Sequence, residues 1–321
     1  TKGNAAYYNI SSAVIMTNTN EGYYWSATFK LEYPVNKGFY GMFAYTYSQA
    51  KDLMSAGSIA AGSWTGAKSV NGNNKLTLAF ADQDMPHRLV GVLGYRLEYG
   101  GRLNGATQFS LGYVGERRGF SPAGINTARF TYATGSSSSQ NGMNGDGVTG
   151  NDLLYVPNSA SELQFAPLVI RNSLNVPIDT FSADEQLAAF DAYLNQDEYL
   201  DANRGKYVTR NGGQFPMLHR FDFSVMQEFG IKVGGKQNTL QIRADIINFS
   251  NLLNKDWGLG NVLVTDQPLS SVGVTSEGQP RYNLATQIIN GKRELLRDTF
   301  VKGVSPFDVW NLQLSIRYIF N

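Results

Sequence analysis

A two-residue periodicity constrains this chain more than any other feature. In its last twelve residues, Trp310, Leu312, Leu314, Ile316, Tyr318 and Phe320 fall on one face of an extended strand. Asn311, Gln313, Ser315 and Arg317 fall on the other, because strand side chains alternate across the backbone. A soluble edge strand could show this once. Here the pattern recurs along the chain, with aromatics near the ends of the apolar face, which suits a strand with lipid outside and water inside. Trp310, Tyr318 and Phe320 are read as a C-terminal assembly signal.

No run of 18 apolar residues occurs, which excludes a helical membrane span. A barrel needs apolar residues only at alternate positions, so its mean hydropathy can be slightly polar. The net charge of +1 gives no support for a nucleic-acid partner. Cysteine is absent, and with it any disulfide framework or thiolate site. The amino end, Thr1 to Tyr8, lacks the basic and apolar segments of a signal peptide. The expectation is an exported protein whose signal was removed, or a downstream piece of a longer one.

The periodicity predicts about seven membrane strands, each near the 9–11 residues needed to cross at a tilt. Their apolar faces run through Tyr23 to Tyr33, Phe39 to Tyr47, Leu89 to Tyr99, Thr107 to Tyr113, Phe221 to Phe229, Leu240 to Ile246 and the terminal strand. Turns at 34–38, 100–104 and 230–238 are short, whereas the connections at 50–86, 118–217 and 250–308 are long. Outer-membrane barrels keep short turns at the periplasmic side and long loops outside. The terminal strand therefore descends, the first strand descends too, and residues 1–22 belong to an extracellular loop. An odd number of strands cannot close an antiparallel bacterial barrel without leaving backbone unpaired in lipid, so upstream strands are expected to complete it. The expected fold is all-β: a transmembrane antiparallel β-barrel with long extracellular loops, one of them containing a short helix.

In the longest loop, Ser136 to Gly147 reads as a flexible polar segment. Ser182-Ala-Asp-Glu185 reads as a capping box, followed by Leu187, Phe190, Tyr193 and Leu194 at helical spacing. The spacing predicts a helix over 183–203, stopped by Asn203-Arg-Gly205 and packed over the barrel mouth.

Asn144-Gly-Asp-Gly-Val-Thr-Gly-Asn-Asp-Leu-Leu-Tyr-Val-Pro157, Tyr199-Leu-Asp-Ala-Asn-Arg-Gly-Lys-Tyr207 with Arg210-Asn211, Asp245 to Asn254, Trp257-Gly258 and the final Tyr318-Ile-Phe-Asn321 together resemble one family. It is the Oar-like TonB-dependent transporters of Bacteroidetes-type bacteria, and the likeness covers nearly the whole chain. It implies a roughly 22-stranded barrel with a plugged lumen, of which these would be about the last seven strands. It also implies a plug domain, a TonB box and an N-terminal accessory domain, none of them in this chain. The partners it implies are outer-membrane lipid, the upstream strands and plug, the TonB complex, and a peptide, protein or glycan substrate. A surface lipoprotein is an optional addition.

Gly142-Met-Asn-Gly-Asp-Gly147 is comparable to calcium loops, where oxygen ligands alternate and a glycine permits the sharp turn. The family-type pattern would open with Asp, and this chain has Gly142 there. Asn144, Asp146 and Asp152, with Asn151 as an alternative, remain as oxygen donors for Ca2+ in the 142–152 loop. A metal-free polar turn is the competing reading, and no cofactor is required. The two histidines sit in matching contexts, Met85-Pro-His-Arg88 and Met217-Leu-His-Arg220, and read as residues of the outer interface, with a ligand or metal site at the mouth as the competing reading. Arg88, Arg96, Arg220, Asp222, Arg243 and Asp245 lead a set of lumen-facing charges of both signs, suited to mutual pairing and plug docking rather than to an ion filter. Trp64, Tyr132, Tyr155, Phe165 and Trp257 are loop aromatics that either contact substrate or form small cores.

No nucleophile motif, phosphate loop or metal-protease pattern occurs, so an enzyme is not expected. The expected function is TonB-dependent transport across the bacterial outer membrane, with the loops receiving substrate. The alternatives are a surface adhesion or structural protein without transport, and a passive porin.

Overall fold

The computed structural model describes residues 13–100, 104–122, 124–136, 142–303 and 308–320. Seven long strands form one antiparallel sheet in which each strand pairs with its neighbours in the chain. They are β1 (Tyr23–Asn36), β2 (Phe39–Asp52), β3 (His87–Tyr99), β4 (Gly105–Arg117), β5 (Met217–Val233), β6 (Lys236–Ile247) and β7 (Asn311–Ile319). The sheet is open. Among the described residues neither β1 nor β7 has a partner on its outer edge.

The register carries the predicted alternation across the whole sheet. Leu31, Phe43, Gly91, Tyr113 and Phe221 stand directly opposite one another along one row, and Leu93, Leu111, Phe223, Ile246 and Leu312 along the next. The row between them carries Glu32 and Asp222 on the other face, and further rows of that face carry Arg88 opposite Glu116, and Ser224 opposite Asp245, itself opposite Gln313. The apolar face is not covered by protein: Phe43 is 39% exposed, Leu314 70% and Ile316 74%. A soluble sandwich would bury these side chains.

Polar residues that reach the apolar face satisfy one another. Thr107 donates to Gln227 Oε1 at 2.7 Å and lies 3.1 Å from the Tyr99 hydroxyl, and the Gln227 amide donates to Tyr99. All three sit near the short turns, where a membrane surface is wet.

The short turns are tighter than the spacing predicts. β1 continues through Pro34 and Val35 by a register shift, and only Lys37 and Gly38 turn, at φ 49° and 88°. Pro34 is tolerated because it lies in the irregular stretch of an edge strand. Gly234 and Gly235 likewise form a two-residue turn in place of the predicted 230–238 segment. Positive φ at both central positions matches the strand twist, so the strands pair to their tips. In the predicted 100–104 turn, residues 101–103 lie outside the described residues, as do 1–12 of the first loop and 137–141 of the polar segment.

The three long connections gather at the opposite end. Helix α1 (Ala60–Gly66) lies in the first, α2 (Ala183–Gln196) and α3 (Glu198–Asp201) in the second, and α4 (Phe249–Leu253) in the third. Short strands from the second and third connections form a five-stranded sheet against which α2 packs. The largest fully buried side chains, including Tyr132, Phe190, Tyr193, Leu200, Phe215, Leu269 and Leu284, all belong to these two connections. The dry core is therefore in the loop layer and not in the sheet.

The capping box forms as the sequence predicts. Ser182 Oγ accepts from Glu185 N, and Ser182 N donates to Glu185 Oε2. The predicted single helix to 203 is broken at Asp197. There the backbone turns extended and Oδ1 accepts from Tyr199 N and Leu200 N to start α3, while Oδ2 accepts from Tyr132 and Thr299 hydroxyls at 2.6 and 2.7 Å. One buried carboxylate thus caps a helix and ties the second connection to the third.

If the exposed apolar face meets hydrocarbon, Leu314→Arg in the full-length protein should lower stability in bilayers by about 2–4 kcal/mol. Gln313→Arg, on the opposite face, should change it by no more than about 1 kcal/mol. Equilibrium unfolding in lipid vesicles reads both.

Candidate functional site

The three long connections enclose a cavity of about 450 Å³. Ser58 and Ser63 come from the segment around α1, Thr127, Arg129 and Thr131 from the stretch after β4, Arg210 and Asn211 from the approach to β5, and Leu263 and Asp266 from the third connection. Its three cationic side chains are each held in an ion pair. Arg129 Nε donates to Asp84 Oδ2 at 2.5 Å, with both side chains almost fully buried, and its guanidinium lies 3.5 Å from the centre of the Phe80 ring. Burial pushes the Arg129 pKa down, against the pull of Asp84. Arg210 donates to the Asp52 carboxylate at 2.5 Å and to its carbonyl at 2.7 Å. Lys68 meets Asp266 at 3.1 Å. Asn211, left-handed at φ 56°, donates to Phe80 O and Asp82 Oδ1 and accepts from Thr131. The result is a wall of hydroxyls, amides and paired ions with one further carboxylate, Asp82.

Below the loops, every lumen-side candidate has a partner. Arg88 faces Glu116 at 3.6 Å, Arg96 bridges Glu98 and Glu228 at 2.9 and 2.6 Å, and Arg243 meets Asp245 at 2.7 Å. Arg220 donates to Asp308 Oδ1 at 2.7 Å and to Gly258 O at 3.2 Å. Asp222 Oδ1 accepts from Asn248 N at 2.7 Å.

Asn248 is the centre of that last group. It is buried and left-handed, and its amide donates to Gly258 O and Asp308 O. A Cβ on Gly258 would collide with its Oδ1, so the glycine is needed for the close approach. Asp245 to Asn254 and Trp257-Gly258 therefore form one knot, clamping the top of β6 to β5 and to the entry of β7.

The 142–152 loop is also ordered by its own polar groups. Asp152 accepts from Met143 N at 2.7 Å and Asn144 N at 3.2 Å, Asn144 Oδ1 from Asp146 N, and Asp146 from Val148 N and the Asn151 amide. Burial raises the Asp152 pKa, opposed by those two N–H groups and reinforced by Asp146. Among the described residues no three His, Cys, Asp or Glu side chains gather to hold a metal ion.

The loop aromatics divide. Tyr132 is fully buried, which corrects its reading as a substrate contact: its hydroxyl is committed to Asp197 and Tyr193. Phe165 is buried as well. Trp64 bonds Asn74 Oδ1 through Nε1 beside the cavity wall, Tyr155 packs on Tyr207, and Trp257 is 54% exposed. The histidines repeat one arrangement across two adjacent strand pairs, Tyr45 of β2 with His87 of β3 and Tyr113 of β4 with His219 of β5, each hydroxyl 2.8 Å from Nδ1. Sequence reasoning missed Asp84 and Arg129, whose neighbours give no periodic signal, whereas Arg210-Asn211 lay inside a stretch already singled out.

Residues 1–281 match the family model described as Outer membrane beta barrel domain. The chain belongs to that family. The barrel domain is accordingly a component of the bacterial outer membrane, and its apolar face meets lipid. Comparison with curated proteins and with solved structures gave no match.

Breaking the buried Arg129 pair tests how the barrel domain holds its loops. Asp84→Ala strands a buried guanidinium and should cost about 3–5 kcal/mol of loop stability. Faster amide exchange around 118–131 and 208–216, and at Ala50 of β2, whose N–H donates to Asp84 Oδ1, with the other wall strands unchanged, is the expected readout.

Proposed function

We propose that this barrel domain is the wall and receiving surface of an energised importer, a TonB-dependent transporter of the kind its motifs resemble. The observation that carries the reading is the loop layer. Three connections from different hairpins share buried polar ties, two of them share a dry core, and all three enclose a cavity large enough for part of a peptide or glycan. Ligand sites are concave and largely pre-formed, and this one is held by ion pairs rather than left as mobile chain. In this reading no catalysis belongs to the chain, and a surface lipoprotein is an optional cover.

The wall needs more strands. β1 and β7 both descend, so a second copy could join this one only through a parallel seam. Further antiparallel strands of the same polypeptide close the cylinder without one, and they would bring the plug and TonB box with them. Paired luminal charges of both signs suit a wall that meets a plug better than a selective open pore.

Cells carrying the full-length protein should accumulate a cognate oligopeptide or oligosaccharide, and a proton ionophore should abolish uptake while surface binding persists. Binding with no uptake under any condition would identify an adhesin. Ionophore-insensitive uptake with steady single-channel conductance would identify a porin.

A further inference from the structure

We propose that Asn144, Asp146, Asn151 and Asp152 form a calcium site that clamps the 68–75 segment of the first long connection onto the 142–153 segment of the second. The two segments already touch here: Ser69 bridges Asp152, Ser69 N donates to Asn151 O, and the Asn151 amide donates to Asn73 Oδ1 at 2.9 Å and Asp146 Oδ2 at 3.0 Å.

Two observations point to a missing occupant. Neither carboxylate has a cationic partner among the described ion pairs. Independently, the buried polar atoms without partners concentrate at this junction. Asn151 Oδ1, Asn144 Nδ2, Asn73 Nδ2 and Ser69 Oγ are all enclosed and unmatched, and the remaining case among the described residues is Arg117 Nε. Asn151 itself is 3% exposed. Buried polar groups are normally satisfied by protein, water or an ion, so four at one place mark room for an occupant, with Asn151 Oδ1 and Ser69 Oγ the two oxygens able to face a cation.

The chemistry of the oxygens selects the filler. Each oxygen of Asp146 and Asp152 accepts one N–H and keeps a second lone pair. Together with the carboxamide oxygens of Asn144 and Asn151 they make a hard, all-oxygen set of charge −2, which suits Ca2+ completed by water and backbone carbonyls. Unmatched amides such as those of Asn73 and Asn144 can hold that water. At φ 79° a Cβ on Gly142 would collide with Val148 O and lie 3.0 Å from Asp152 Oδ2, so the loop opens on glycine and its carboxylates come from Asp146 and Asp152.

The test uses purified full-length protein and metal alone. Trp64, whose indole bonds Asn74, the neighbour of the Asn73 that Asn151 contacts, serves as an antenna for terbium luminescence. Wild-type protein should give saturable Tb3+ emission that Ca2+ displaces, with calcium affinity on the order of 10⁻⁴–10⁻³ M, as for extracellular calcium modules. Trp64→Phe should lose most of the emission yet keep its calorimetric calcium uptake. Asp146→Asn should weaken calcium roughly tenfold or more, since affinity follows ligand charge. No calcium uptake by wild type up to about 10 mM, above that range, overturns the site and leaves buried water as the occupant. So does wild-type affinity in Asp146→Asn. If that variant fails to fold, calorimetry on the wild type still decides.

Discussion

Backbone hydrogen bonding in a medium without water governs this molecule. In hydrocarbon each unpaired N–H or C=O costs several kcal/mol, so the wall can be built only from strands that pair along their full lengths. Two-residue turns at Lys37-Gly38 and Gly234-Gly235 follow from that demand, since they let the ladders run to the strand tips. The knot at Asn248 serves the other end, where its backbone N–H and amide join β5, β6 and the entry to β7 as the ladder gives way to loop.

The same constraint divides the labour between wall and loops. The strands gain no dry core from one another, because lipid already offers an apolar environment to Phe43, Leu314 and Ile316. The hydrophobic effect can act only where water is the alternative, above the membrane. There Tyr132, Phe190, Tyr193 and Phe215 collapse into a core with its own small sheet and helices. That core holds Asp197, and the surrounding ion pairs Arg129–Asp84 and Arg210–Asp52 fasten the first connection to the second. Three chain segments far apart in sequence thereby become one surface, and a cavity between them keeps its shape.

Legibility followed the range of the forces involved. The seven strands, their apolar faces and the start of α2 at Ser182 and Glu185 depend on alternation and on a four-residue contact, both local. The break of the helix at Asp197 was not readable, because the residues that draw its side chain out, Tyr132 and Thr299, are 65 and 102 positions away. For the same reason Tyr132 could not be told from a surface aromatic: a tyrosine in a loop looks alike whether its hydroxyl meets water or a buried carboxylate. The cavity's Arg129 gave no signal, since its partner Asp84 lies in another connection.

By itself the sequence determined that this chain lines lipid with one side and water with the other, and on which end its loops stand. Alternation settles that, because a strand's two faces are assigned residue by residue. Tertiary structure alone decided which loop residues become core, which charges neutralise one another and where a cavity opens. Those outcomes rest on contacts between distant segments, whose stability depends on burial that no single stretch of chain can provide.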